Sequence, residues 1–225
     1  EMTVETQKNK LTEYKTIYEG GIGEITEKKS RFIANSCHIE SKEEAEEKIN
    51  LIKKKYYDAK HNCFAFSIVD KDGNLLEKSS DDGEPSGTAG APILNVIRKN
   101  NLNNVLIVVT RYFGGILLGT GGLTRAYSNT ALASIENGKI IEVENGLQVS
   151  LEIEYSENEK FKYYCEKNNI KIVETKYSEN IIQKIELNEE EYNKLISKNM
   201  EINRQLPFKI KEIGILCRKF IEKVQ

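Results

Sequence analysis

The chain has 225 residues, 33 Lys and Arg against 35 Asp and Glu, a net charge of −2 and a mean hydropathy of −0.52. No apolar run approaches the ~18–20 residues that a helical membrane span needs. The near-neutral charge also excludes bulk adhesion to nucleic acid, so any such contact would have to use a local patch.

The length admits one or two domains. No signal-peptide pattern stands at the amino terminus. Cys37, Cys63, Cys165 and Cys217 are widely spaced and form no CxxC pair. Reduced, mostly buried thiols in a cytoplasmic protein are the expectation.

The first ten residues are polar and are expected to fray. Tyr14–Tyr18 alternates and reads as an edge strand. Gly20-Gly21-Ile22-Gly23 follows and reads as a hairpin or bulge. Glu24–Ile39 reads as strand around a turn at residues 27–30. Ser41 and Glu44 form a capping box that opens a helix with Ala45, Ile49, Ile52 and Tyr56 on one face. His61–Val69 is a strand, Asp72–Asn74 a turn, and Leu75–Lys78 a short strand.

A polar Gly/Pro-rich loop, Ser79–Pro92, leads into a helix expected over Gly87–Lys99, with Ala91, Leu94, Ile97 and Ala89 inward. Val105–Val109 is β-branched and apolar throughout, as a strand buried on both faces would be. It empties into Arg111-Tyr112-Phe113-Gly114-Gly115-Ile116-Leu117-Leu118-Gly119-Thr120-Gly121-Gly122. A helix is expected from Leu123 to Ile135.

Glycine nearly vanishes after residue 137: only three of the chain's 15 lie beyond it. The remainder reads as βαββαβ. Leu147–Tyr155 is a strand, Ser156 with Glu159 caps a helix, Lys171–Ser178 and Ile181–Leu187 form a hairpin, Asn188 with Glu191 caps a second helix, and Phe208–Lys219 closes. That doubled unit has the ferredoxin-like size and order. Two domains are therefore expected, 1–137 and 138–225, in an α+β protein.

Chemistry concentrates around the glycines. A strand, a glycine-rich turn and a helix leave free N–H groups at the helix start, where the dipole also favours an anion. From Pro85 to Ile135 there is no Asp or Glu, although the chain carries 35. The expected anion or nucleic-acid site comprises Arg111, Gly114, Gly115, Gly119, Thr120, Gly121, Gly122, Thr124 and Arg125. His61, Asp82, Glu84, Ser86 and Thr88 would form its rim. Tyr112, Phe113 and Tyr127 interleave the cations, with Phe113 expected in the core.

Other chemistry finds less support. The glycine pattern is neither GxxxxGK[ST] nor GxGxxG, and no acidic residue follows at the dinucleotide spacing. Asp81, Asp82 and Glu84 are the clustered candidates for a Mg²⁺ site in phosphoryl transfer. Cys37, His38, His61 and Cys63 lack zinc spacing. No catalytic residue, metal or cofactor is assigned.

The run Arg111–Gly119 resembles the signature of the YigZ/IMPACT family, an Arg–aromatic–aromatic–Gly–Gly–x–x–Leu–Gly stretch after an apolar strand. His61-Asn62-Cys63 and Asp81–Gly90 also match. The resemblance covers the chain. It implies a first domain similar to domain 2 of ribosomal protein S5, and a ferredoxin-like second domain similar to the last domain of elongation factor G. It further implies a role in translational control, as for the eukaryotic IMPACT proteins, with RNA or the ribosome as partner. The leading expectation is a non-enzymatic binding protein that takes a phosphate-like anion at the glycine loop. The alternatives are an enzyme acting on a small phosphorylated ligand or nucleotide, and a protein–protein regulator using the carboxy-terminal domain. A peptidase reading finds no nucleophile or metal triad.

Overall fold

The computed structural model describes residues 11–70, 72–200 and 206–223; the polar first ten residues lie outside that range. The chain divides into two compact units, one through residue 142 and one from residue 143. Among the described residues no helix is long and apolar enough to cross a membrane.

The first unit runs β1 (Glu13–Glu19), β2 (Ile22–Glu27), β3 (Ser30–His38), α1 (Lys42–Lys55), β4 (His61–Val69), β5 (Leu75–Ser80), α2 (Gly90–Lys99), β6 (Val105–Tyr112) and α3 (Gly119–Glu136). Its antiparallel sheet has the order β2-β3-β6-β4-β5. The uninterrupted apolar run of β6 occupies the centre because both its faces are covered. Val105, Ile107 and Val109 pack on one side with Ile93, Ile97, Leu123, Ala126 and Tyr127 from α2 and α3. Leu106 and Val108 pack on the other with Ala45 and Ile49 from α1. The period of two along the strand assigns each residue to its layer.

Local chemistry sets the helix starts. Ser41 Oγ accepts from the Glu44 N–H at 3.1 Å, while Glu44 Oε2 accepts from the N–H of Glu40 rather than of Ser41. Helix α2 begins at Gly90, three residues later than expected. The Asp81 carboxylate holds the N–H groups of Gly87, Ala89 and Gly90 and keeps the chain in a turn until then. Its inward face is Ile93, Val96 and Ile97; Ala91 is exposed and Leu94 half-buried. Helix α3 begins four residues earlier than expected.

Gly20, Gly21 and Gly23 serve close packing rather than a hairpin turn. A Cβ on Gly21 would stand 2.2 Å from the Ser134 carbonyl oxygen, and one on Gly23 2.6 Å from the Ser134 nitrogen. The backbone entering β2 therefore lies directly against α3, which only glycine permits.

The second unit contains most of β7 (Lys139–Ile153), then α4 (Asn158–Lys167), β8 (Lys171–Tyr177), β9 (Ile181–Leu187), α5 (Glu189–Met200) and β10 (Glu212–Glu222). The antiparallel order β8-β9-β7-β10 is that of a ferredoxin-like βαββαβ unit, so the α+β fold in two domains stands. Leu147, Val149, Leu151 and Ile153 alternate inward against Phe161, Cys165 and Leu195. Asn188 and Glu191 cap α5 reciprocally, at 2.9 and 3.0 Å.

Two boundaries differ from expectation. A 3-10 turn, Tyr155–Glu157, precedes α4, and no side chain caps that helix in the way expected of Ser156. Phe208 stands before the last strand and packs edge-on against Phe161, at 5.3 Å between centroids. The outer strand β10 slips register between Ile215 and Cys217, and Ile215, Leu216 and Cys217 are exposed.

Candidate functional site

The glycine stretch leaves the end of β6 and enters α3. Gly114 is pressed on the β2–β3 hairpin: a Cβ there would stand 2.0 Å from the Lys29 carbonyl carbon. Gly115 and Gly119 hold φ of +84° and +73°, the left-handed region that glycine enters without penalty. These three positions fold the loop back so that α3 starts at the surface.

No side chain caps α3, and Gly119, Thr120 and Gly121 are exposed. Its first N–H groups thus face solvent at the positive end of an 18-residue helix. Arg125 is exposed, and its Nη1 lies 3.5 Å from where a Cβ on Gly121 would stand. Thr124 is exposed, but its hydroxyl donates to the Thr120 carbonyl at 2.9 Å. Gly122 is half-buried against Leu118.

Arg111 is placed differently from Arg125. It is buried, and its Nη1 donates to Glu84 Oε1 at 2.7 Å. Its Nη2 reaches Ser30 Oγ at 3.3 Å, and that hydroxyl also accepts the Gly114 N–H at 3.2 Å. Its guanidinium lies 5.5 Å from the Phe32 centroid and 5.4 Å from that of Phe113. Arg111 therefore fixes the loop from beneath, with its charge balanced by Glu84. Phe113 is not core: it leaves the sheet end 52% exposed, with its ring against Arg111.

The rim residues other than Ser86 also turn inward. Tyr127 is wholly buried and donates to the same Glu84 oxygen at 2.8 Å. Burial first, then the neighbouring Cys63 and Glu84, push its phenol far up, so it is a neutral donor. The Cys63 thiol donates to the Asp81 carbonyl at 2.9 Å and lies 3.3 Å from the Tyr127 hydroxyl. Asp82 accepts from the Asn62 N–H at 2.8 Å and pairs with Lys53 at 3.3 Å. His61 Nδ1 lies 2.9 Å from the Asp82 carbonyl oxygen. Thr88 is buried and donates to the Pro85 carbonyl; Ser86 alone of the five is exposed.

Asp81, Asp82 and Glu84 each hold partners inside the protein, so they build the loop rather than present a carboxylate cluster. The other ligand-bearing set does not converge. In the sheet register His38 lies opposite Val105 and His61 opposite Arg111, at the two ends of β6.

Sequence reasoning named the glycines, Arg111 and Arg125 but missed Ser30 and the capping role of Asp81. The signal for Asp81 was available, as an acid placed before a glycine-rich helix start. Ser30 carried none, because its role depends on the register of β3 against β6.

The start of α3 is thus uncapped and exposed, and Arg125, which has no ion-pair partner among the described residues, stands beside it. Residues 28–135 match the model of the Impact N-terminal domain, and residues 151–198 match that of a domain of unknown function, DUF1949. The chain is similar to the IMPACT family member YvyE of Bacillus subtilis, 41% identical over 178 residues, covering 69% of this chain and 81% of YvyE. It is similar to an IMPACT family member of Haemophilus influenzae, 41% identical over 158 residues, covering 68% of this chain and 75% of that one. A crystal structure of a hypothetical protein superposes with a TM-score of 0.59 at 26% identity, covering 92% of this chain and 98% of the other.

Proposed function

The chain belongs to the YigZ/IMPACT family, and on that premise we propose that it is a binding protein of the translation machinery. Its first unit would take an RNA phosphate at the start of α3. The observation that carries this reading is the contrast between two helix starts. The N–H groups at α2 are filled by the protein's own Asp81, whereas those at α3 are uncapped and exposed beside Arg125. Backbone N–H groups and a guanidinium together suit a phosphate oxygen. The translational role is the one that the family resemblance implies, and a cytoplasmic setting goes with it.

Binding of a short single-stranded RNA, followed by anisotropy across a salt series, tests this. Arg125→Ala should weaken binding and reduce the salt slope by about one contact. Thr120→Asp places a carboxylate where the helix itself welcomes one, so it should keep the fold and abolish binding. Unchanged affinity and slope in both variants would reject the site.

A further inference from the structure

The same end of the first sheet carries a second surface of mixed charges and aromatic rings, on the α1 side. In the β3–β6 register Arg31 stands opposite Tyr112. Tyr56 ends α1, two residues before the Asp58 that reaches Tyr112, and Lys55 Nζ sits 5.2 Å over its ring. Tyr112 and Tyr56 are half-buried, so each presents part of a ring to solvent. Glu24 pairs with Arg31 at 2.6 Å, and Asp58 accepts the Tyr112 hydroxyl at 2.7 Å. These carboxylates fix the guanidinium and the phenol in position.

Between this patch and the glycine loop stands the β2–β3 turn. Glu27 pairs with Ser30, so the turn has two residues, Lys28 and Lys29, at φ of +44° and +63°. Such a turn ordinarily takes Asn-Gly, because both central residues are left-handed. Two lysines hold it here, both exposed and without ion-pair partners among the described residues. Local rules broken in this way concentrate where a residue is kept for its chemistry. The Gly114 contact with Lys29 joins the turn directly to the loop.

We propose that single-stranded RNA runs over this sheet end, from the α3 start across Lys28 and Lys29 to the patch of Arg31, Tyr56 and Tyr112, where a base stacks. The inference rests on the reading of the α3 site and extends it to the strand's path and state. Cations alternating with ring faces are what a single strand uses. An acidic peptide would use the cations alone.

The test uses the full chain and a single-stranded oligouridylate about ten nucleotides long. Lys28→Glu/Lys29→Glu should make the salt slope shallower by about 1.4, two phosphate contacts on a single strand. Tyr112→Leu should weaken binding roughly tenfold and Tyr112→Phe little. In the wild type, abasic residues in the oligonucleotide should cost a similar factor, a measurement independent of any variant's folding. Binding that depends on Arg125 and Thr120 but ignores the lysines, Tyr112 and the bases overturns this inference alone. No RNA binding at all overturns the α3 reading with it. A polyglutamate peptide bound as tightly, and lost in the lysine variant, replaces RNA by an acidic protein segment.

Discussion

Arg111 Nη1 lies 2.7 Å from Glu84 Oε1, with side-chain exposures of 6% and 3%. This pair is the floor of the candidate site, and removing one member strands the other. Glu84→Ala should cost about 3–5 kcal/mol, because the guanidinium stays buried without its counter-charge. Glu84→Met/Arg111→Met should recover much of that. Urea midpoints measure both, and a single variant within about 1 kcal/mol of wild type would contradict the role given to the pair.

Two glycines separate conformation from space. Gly87 holds φ of +76° with nothing near a Cβ, so Gly87→Ala should cost about 1 kcal/mol, from backbone strain alone. Gly114 meets the Lys29 backbone, so Gly114→Ala should cost about 2–3 kcal/mol and also disturb the β2–β3 turn. Thermal melts of the two variants side by side should rank them in that order.

Asp81 links stability to acid. Burial raises its carboxyl, but the N–H groups of Gly87, Gly90 and Ala89 outweigh this and hold it below its ordinary value of 3.8. A carboxyl lowered in the folded state stabilises above that value and loses its effect as pH falls through the folded pKa. Asp81→Asn should therefore cost about 1–2 kcal/mol at neutral pH, by weakening the α2 cap. The gap from wild type should close only below about pH 4. A gap independent of pH down to acid unfolding would refute the charge-assisted cap.

The thiols should react in a fixed order. Cys217 is exposed. Burial pushes Cys63 up to about 12, against a lowering from the Tyr127 hydroxyl, and pushes Cys165 up to about 12. The thiolate is the reactive form, so a disulfide reagent should modify Cys217 quickly and Cys63 and Cys165 only on unfolding. Fast labelling of Cys63 in the native protein would contradict the network around it.

What the sequence made legible was periodic or local. The run Val105–Val109 announced a buried strand, and Asn188 with Glu191 announced a helix start. Phe113 misled because an aromatic next to a buried strand reads as core, whereas it lies one step past the sheet end. Ser156 misled because a turn of 3-10 geometry intervened before α4. The pairing of Arg111 with Glu84, 27 residues apart, follows from how the Asp81–Gly87 loop folds over β4 and β6, and no spacing rule encodes it. Arg125 lies beside Gly121 because the helix places the two one turn apart, a spacing that the sequence itself displays.

The outer strand β10 has a consequence for handling this protein. Edge strands with exposed apolar side chains invite pairing with other chains, and Ile215 and Leu216 are 47% and 51% exposed. The slip between Ile215 and Cys217 interrupts the straight row of backbone groups that such pairing needs, and Arg218 and Lys219 follow it directly. Those three features act as a guard against aggregation. Variants that regularise the strand or remove its charges should lower solubility before they lower stability.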